Sequence, residues 1–294
     1  MNYNQTLEQL ENKRKQIMKK IQIGIGIVLV SLLVGFLFGD TQVLVFAGII
    51  SLVIAVGIVA DSVTKYKNHF KNQLMPLLIN KTGMNLEYNY RDGVGKDTVM
   101  GSKLFKKPDR YHCEDLMYGT FEDVRFMSSD VHMQERRVTH DSKGRRHVHY
   151  VTYFLGRWLV YDFNKEFNGI IQVREASFLE GHPWGLNVDK ITLEDVEFNK
   201  KFKTYATNQH DAFYVLTPSL ILNMKKLEQR FPGKIYFSFI GSQLHIAIYN
   251  SKNSFEPPIF SSIDENFINE QIQDVIILQE IVKELRLNRD IFKK

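Results

Sequence analysis

Two long apolar runs lie back to back near the start of the chain, Ile21 to Phe38 and Val43 to Ala60. Only Gly39-Asp40-Thr41-Gln42 separates them. At 1.5 Å per helical residue each run extends about 27 Å, enough to cross a hydrocarbon core of roughly 30 Å. The pattern predicts a two-helix transmembrane hairpin over 21–60, with spans at 21–38 and 43–60. Upstream, Leu7, Leu10, Ile17 and Ile21 recur at helical spacing and predict a juxtamembrane helix over 1–20. That helix is expected to coil with a partner or to lie on the membrane surface. Downstream, Val63, Tyr66, Phe70, Leu74 and Leu77 predict an amphipathic connecting helix over 61–83, kinked or ended by Pro76.

From about residue 84 the period shortens from helical to alternating. Strands are expected at Thr120–Phe126, Val131–Thr139, His147–Leu155, Trp158–Phe163 and Ile170–Arg174, with Lys143-Gly144 at a hairpin tip. A short helix over Leu193–Lys200 should precede strands Phe202–Ala206 and Ala212–Leu216. Thr217-Pro218 then caps and starts a helix that Pro232-Gly233 stops near Arg230. Lys234–Ile240 and Gln243–Tyr249 read as a hairpin around Gly241-Ser242, a sequence suited to a type II′ turn. Ser262-x-x-Glu265 resembles a capping box for a long terminal helix bearing Ile268, Ile272, Val275, Ile276, Ile281, Val282 and Leu285. The expected fold is α+β: the membrane hairpin, then one cytoplasmic domain of mixed sheet and helices over 84–294, closed by a long C-terminal helix.

Charge orients the hairpin. Lys13, Arg14, Lys15, Lys19 and Lys20 precede the first span, and Lys65, Lys67 and Lys71 follow the second, while the loop holds only Asp40. By the positive-inside rule both termini are expected in the cytoplasm of a two-pass cell-membrane protein. The residues from 61 onward carry a net charge of only +3, so nucleic acid is not expected as a partner. Cys113 is alone, which excludes an intrachain disulfide and reads as a half-buried structural thiol.

Small residues recur every fourth position as Ser31, Gly35 and Gly39 in the first span, and as Ala47, Ser51 and Ala55 in the second. This spacing lets helix backbones approach closely, within the hairpin first, and otherwise against a membrane protein partner or a second copy. Neither span holds an ionisable residue, so the pair reads as an anchor in the lipid bilayer rather than a conduction path.

Catalytic signatures are lacking. Gly93-Val94-Gly95-Lys96 lacks the first Gly and the final Ser or Thr of a phosphate loop and reads as a turn. No cofactor and no catalytic residue are expected. The candidate metal ligands are His140, His147 and His149, if the hairpin is symmetrical about its tip so that His140 faces His147. Lys143, Arg145 and Arg146 surround them and disfavour a cation. These three basic residues, with Trp184 at the tip of Glu180-Gly181-His182-Pro183-Trp184-Gly185, are the candidate interaction residues.

Gly156-Arg157-Trp158-Leu159-Val160-Tyr161-Asp162-Phe163-Asn164-Lys165, then Phe167-Asn168-Gly169, form a distinctive stretch. Leu193-Glu194-Asp195-Val196-Glu197-Phe198, Tyr214-Val215-Leu216-Thr217-Pro218 and Ser254-Phe255-Glu256-Pro257 follow in order. Together they resemble the bacterial domain-of-unknown-function family numbered 3137, over roughly residues 115–290. The resemblance implies a membrane-anchored protein with no assigned activity or catalytic residue, in an envelope-associated assembly near LemA-like membrane proteins. At Asn208-Gln209-His210-Asp211 the chain departs from the acidic pattern expected there. The leading functional expectation is an interaction or scaffold module. The alternatives are an enzyme of unrecognised class acting at the membrane and a small-ligand sensor.

Overall fold

A computed structural model describes residues 2–37, 41–176, 183 and 186–287; for 41 and 163–168 it describes the backbone alone. The helical beginning comprises α1 (Tyr3–Leu37), α2 (Thr41–His69) and α3 (Met75–Lys81). Next come β1 (Leu86–Asn89), α4 (Lys96–Gly101), β2 (Arg110–Phe121), β3 (Val124–His140), β4 (Arg146–Glu175) and β5 (Asp189–Ile191). The chain closes with α5 (Val196–Lys201), β6 (Phe202–Ala206), α6 (Gln209–Val215), α7 (Pro218–Arg230), β7 (Lys234–Tyr249) and α8 (Glu265–Leu285). The fold is α+β. Two compact units divide it: Met1–Met84 with Phe255–Gln273, and Asn85–Ser254 with Asp274–Lys294. Phe255–Gln273, read from sequence as part of the later domain, thus groups with the helices.

In the first unit α1 and α2 are each long and apolar enough to cross a membrane. Only 11% and 6% of their most apolar 18-residue windows are buried, whereas a core helix would be mostly covered. Ile23, Leu29, Phe36, Phe46 and Val53 all stand exposed. The polar start of α1 is covered within the chain. Leu10 and Ile17 are buried, and Arg14 donates to the Ile259 carbonyl at 3.3 Å. Its apolar stripe is therefore covered from inside the chain, and neither a partner coil nor a membrane-surface helix is needed. Tyr66 likewise donates to the Pro258 carbonyl at 2.9 Å, and Lys71 pairs with Glu256 at 3.0 Å. Pro76 does not end the helix. A single π turn over Phe70–Leu74 sits just ahead of it, where the Met75 N–H donates to the Phe70 carbonyl, and the proline falls in the first turn of α3.

The second unit is built on a seven-stranded antiparallel sheet of order β1-β2-β3-β4-β6-β5, with β7 on β4. Thr120–Phe126, expected as one strand, is the end of β2 and the start of β3 with a turn at Glu122-Asp123 between them. Glu122 and Asp123 both take positive φ, 48° and 64°, so a two-residue loop forms without the usual glycine. The three strands expected between His147 and Arg174 are one, β4. Its first half pairs with β3 and its last residues with β6.

β7 is not a hairpin. It runs straight past Gly241 because β4 offers a partner to both of its halves: Gly156–Asp162 pair with Tyr249–Gln243, and Ile170–Arg174 with Ile240–Tyr236. Gly241, with φ +56°, forms a kink where residues 163–169 of β4 bulge opposite it. Tertiary pairing overrides the local turn signal.

Ala212–Leu216 is also corrected, from strand to helix. Asn208 accepts from the His210 N–H at 2.9 Å and caps α6. Thr217 caps α7 as expected, accepting from the Leu220 N–H at 3.3 Å. At α8 the cap is Asp264 and not Ser262: its carboxylate accepts from the Phe267 N–H at 2.9 Å. A hydrophobic cluster of Val94, Val99, Leu104, Val131, Phe154, Trp158, Val160, Tyr236 and Ala247 fills one face of the sheet.

Candidate functional site

β3 and β4 outrun the rest of the sheet. Pairing with β2 stops at Gln134, and pairing with β7 begins only at Gly156. From Arg136 to His149 the two strands form a free ribbon in which every residue is exposed except half-buried Asp141. It carries Arg136, Arg137, Lys143, Arg145 and Arg146 against a single carboxylate.

That carboxylate builds the tip. Asp141 accepts from the backbone N–H groups of Lys143 and Arg145, both at 2.9 Å, and from Arg145 Nε at 2.8 Å. Its backbone also closes the loop, accepting from Gly144 and donating to the Arg145 carbonyl, with Gly144 at φ +75°. The Arg145 N–H bond holds the Asp141 carboxyl below the usual carboxylate range. Arg137 pairs with Glu135. The Arg136 N–H donates to the Asp109 carboxylate at 2.7 Å, but the charged side chains of Arg136, Lys143 and Arg146 have no ion-pair partner among the described residues.

The register at the tip differs from a symmetrical hairpin. A bulge between Met133 and Gln134 shifts the pairing, so Thr139 faces His147 and His140 faces Arg146. His147 and His149 lie on one face with Arg137, and His140 on the other with Arg136 and Arg146. The three histidines are not brought together. Among the described residues no group of three His, Cys, Asp or Glu could hold a metal. Trp184 lies outside the described residues, as do Glu180 and His182.

Two further features escaped the sequence reading. A groove of about 460 Å³ is lined by Glu87, Tyr118, Arg125, Met127, Asp162 and Gln243 among others. Its charged groups engage one another: Arg125 meets Asp162 at 2.7 Å, Gln243 donates to Asp162 at 3.1 Å, and Tyr118 donates to Glu87. The other is a polar patch inside the sheet. Asp130 and Arg157 are cross-strand partners, both buried, with Arg157 Nε on Ser128 Oγ at 2.8 Å and Ser254 Oγ on Asp130 at 2.9 Å. Tyr88 donates to buried Asp115 at 2.6 Å, and burial first, then that carboxylate, pushes its phenol far above the ordinary value. Arg157, Asp162 and Ser254 lie in the stretches that carry the family resemblance, but their partners are scattered along the chain, so no local motif shows which residues meet.

Asp195 accepts from the Phe198 N–H at 2.9 Å and pairs with Lys225 at 2.6 Å, which makes it a helix cap. Cys113 is half-buried, and burial raises its thiol above the ordinary value. In the helical unit Ser31 and Ser51 meet directly at 2.8 Å. Gly35 lies against Leu44, and Ala55 against Gly24, where an added Cβ would come within 2.9 Å and 3.1 Å. Ala47 is half-buried, and Gly39 lies outside the described residues.

Comparison with curated proteins yields no match. Among solved structures, the crystal structure of the mycobacterial trehalose monomycolate transport factor A, TtfA, is similar at a TM-score of 0.37 and 9% identity. That alignment covers 72% of this chain and 93% of the other. Residues 152–287, from the middle of β4 through α8, match the model of a family described as "Protein of unknown function (DUF3137)". This match begins just after the basic ribbon and includes the Gly156–Asn168 stretch and the Thr217 cap. Over residues 152–287, a little under half of its length, the chain is therefore similar to the DUF3137 family.

Proposed function

We propose that this chain is a membrane-anchored interaction module, in which a two-helix hairpin holds an α+β domain at the cytoplasmic surface of a cell membrane. The observation that carries the reading is the exposure of two long apolar helix surfaces, which water would penalise at about 25 cal/mol per Å². Direct contact of Ser31 with Ser51 supports a self-packed hairpin, since each hydroxyl finds a partner away from lipid. Lysines and arginines flanking the spans favour both termini on the cytoplasmic side. The engaged charges of the groove suit docking better than proton transfer, which needs a group free to gain or lose a proton.

Fractionation tests the anchor, and cysteine labelling tests the sidedness. The protein is expected in the membrane pellet after alkaline carbonate. A cysteine at Ser142, in a Cys113→Ser background, should react with a membrane-impermeant maleimide only after the cells are opened. Release by carbonate would sink the anchor, and labelling of intact cells would invert the topology.

A further inference from the structure

The ribbon from Arg136 to His149 buries no side chain, so the sheet does not need it for its core. A basic residue or two on a free edge is enough to block pairing with another chain. Here five stand on both faces and at the tip, opposed by one carboxylate. Three of them, Arg136, Lys143 and Arg146, have no ion-pair partner among the described residues. One face is also amphipathic. Val138 and Val148 are cross-strand partners, 40% and 46% exposed, bracketed by Arg136 and Tyr150 on one side and by His140 and Arg146 on the other. The Arg110 guanidinium stacks on the Tyr150 ring at 3.4 Å from its centroid, adding a further cation beside that face.

We propose that this face of the ribbon docks on anionic lipid headgroups of the bilayer in which the same chain is anchored. The inference rests on the membrane-anchor reading given above. Basic side chains meet lipid phosphates, while the valine pair and the tyrosine ring suit the boundary between headgroups and acyl chains. A nucleic acid backbone would use the arginines but leave the valines in water. Covalent attachment to the spans keeps lipid at a high effective concentration, so attraction that is weak per charge suffices. Each basic group near an anionic surface contributes about a fivefold gain in the docking equilibrium.

The full chain is reconstituted in phosphatidylcholine vesicles with or without phosphatidylglycerol, carrying a fluorophore at Ser142→Cys in a Cys113→Ser background. Nitroxide-headgroup lipids should quench the label in the anionic vesicles and not in the neutral ones. Neutralising Arg136→Gln, Lys143→Gln and Arg146→Gln together breaks no observed ion pair and should weaken docking roughly a hundredfold. Val138→Ser with Val148→Ser keeps every charge and should weaken it less. High salt should release the label. Equal quenching in both vesicle types, no response to the charge variant, or displacement by duplex DNA would each overturn the proposal. Co-flotation with the vesicles separates the two readings: a chain that fails to float defeats the anchor, whereas one that floats unquenched defeats only the ribbon.

Discussion

β4 is one strand with two halves that behave as different materials. Between Arg146 and His149 every side chain is exposed, while Trp158, Leu159, Val160 and Tyr161 are all within 1% of complete burial. Backbone pairing with β3 is continuous through both, apart from the bulge opposite Met133 and Gln134. The neighbours differ: the early half has β3 alone, whereas the later half is flanked on both edges and covered by aromatic side chains such as Phe105 and Phe154. A strand's ladder therefore does not determine its contribution to stability. Flanking strands and covering layers do, and where they stop the surface is left for chemistry.

The comparison breaks if the two halves respond alike to mutation. Trp158→Ala should cost about 3–5 kcal/mol, since it empties the middle of the aromatic cluster. The loss is read from the denaturant midpoint of the full chain in detergent.

Acid should sharpen the contrast next. Trp158 Nε1 donates to His245 Nδ1 at 3.3 Å, and burial lowers that imidazole from 6.5 to about 4, against a weaker opposing pull from Asp162. The unfolded chain takes up a proton near pH 6.5 while the folded chain stays neutral until about pH 4. Stability supplied by the neutral histidine is thus complete above pH 6.5 and falls as pH drops toward 4, by on the order of 3 kcal/mol. His245→Gln should flatten that part of the pH–stability curve. An unchanged slope would show that other groups cause it.

The smallest effect belongs to the ribbon. Removing the charges of Arg136, Lys143 and Arg146 should leave the midpoint within about 0.5 kcal/mol, because none contacts the core. A large loss there would mean that the ribbon supports the sheet after all.

Features written in local chemistry were legible in the sequence. The apolar runs, the Thr217-Pro218 start of α7 and the glycine at the ribbon tip each announce themselves within a few residues. Features written in partnership were not. Gly241 has the backbone of a turn residue, yet the strand passes it because β4 waits on both sides. Glu122 and Asp123 turn the chain without the glycine or asparagine that would mark a turn. The histidine register failed by one residue because a bulge near Tyr153, remote from the tip, moves every pair beyond it. The basic ribbon was half visible: its charges were plain in the sequence, but its freedom from the sheet depends on where β2 and β7 end.

α1 runs without interruption from Tyr3 to Leu37, so its greasy portion and the portion carrying Leu10 and Ile17 form one stiff shaft of about 52 Å. A twist applied at one end has no swivel in which to dissipate. It would reach Arg14, which donates to the Ile259 carbonyl at 3.3 Å.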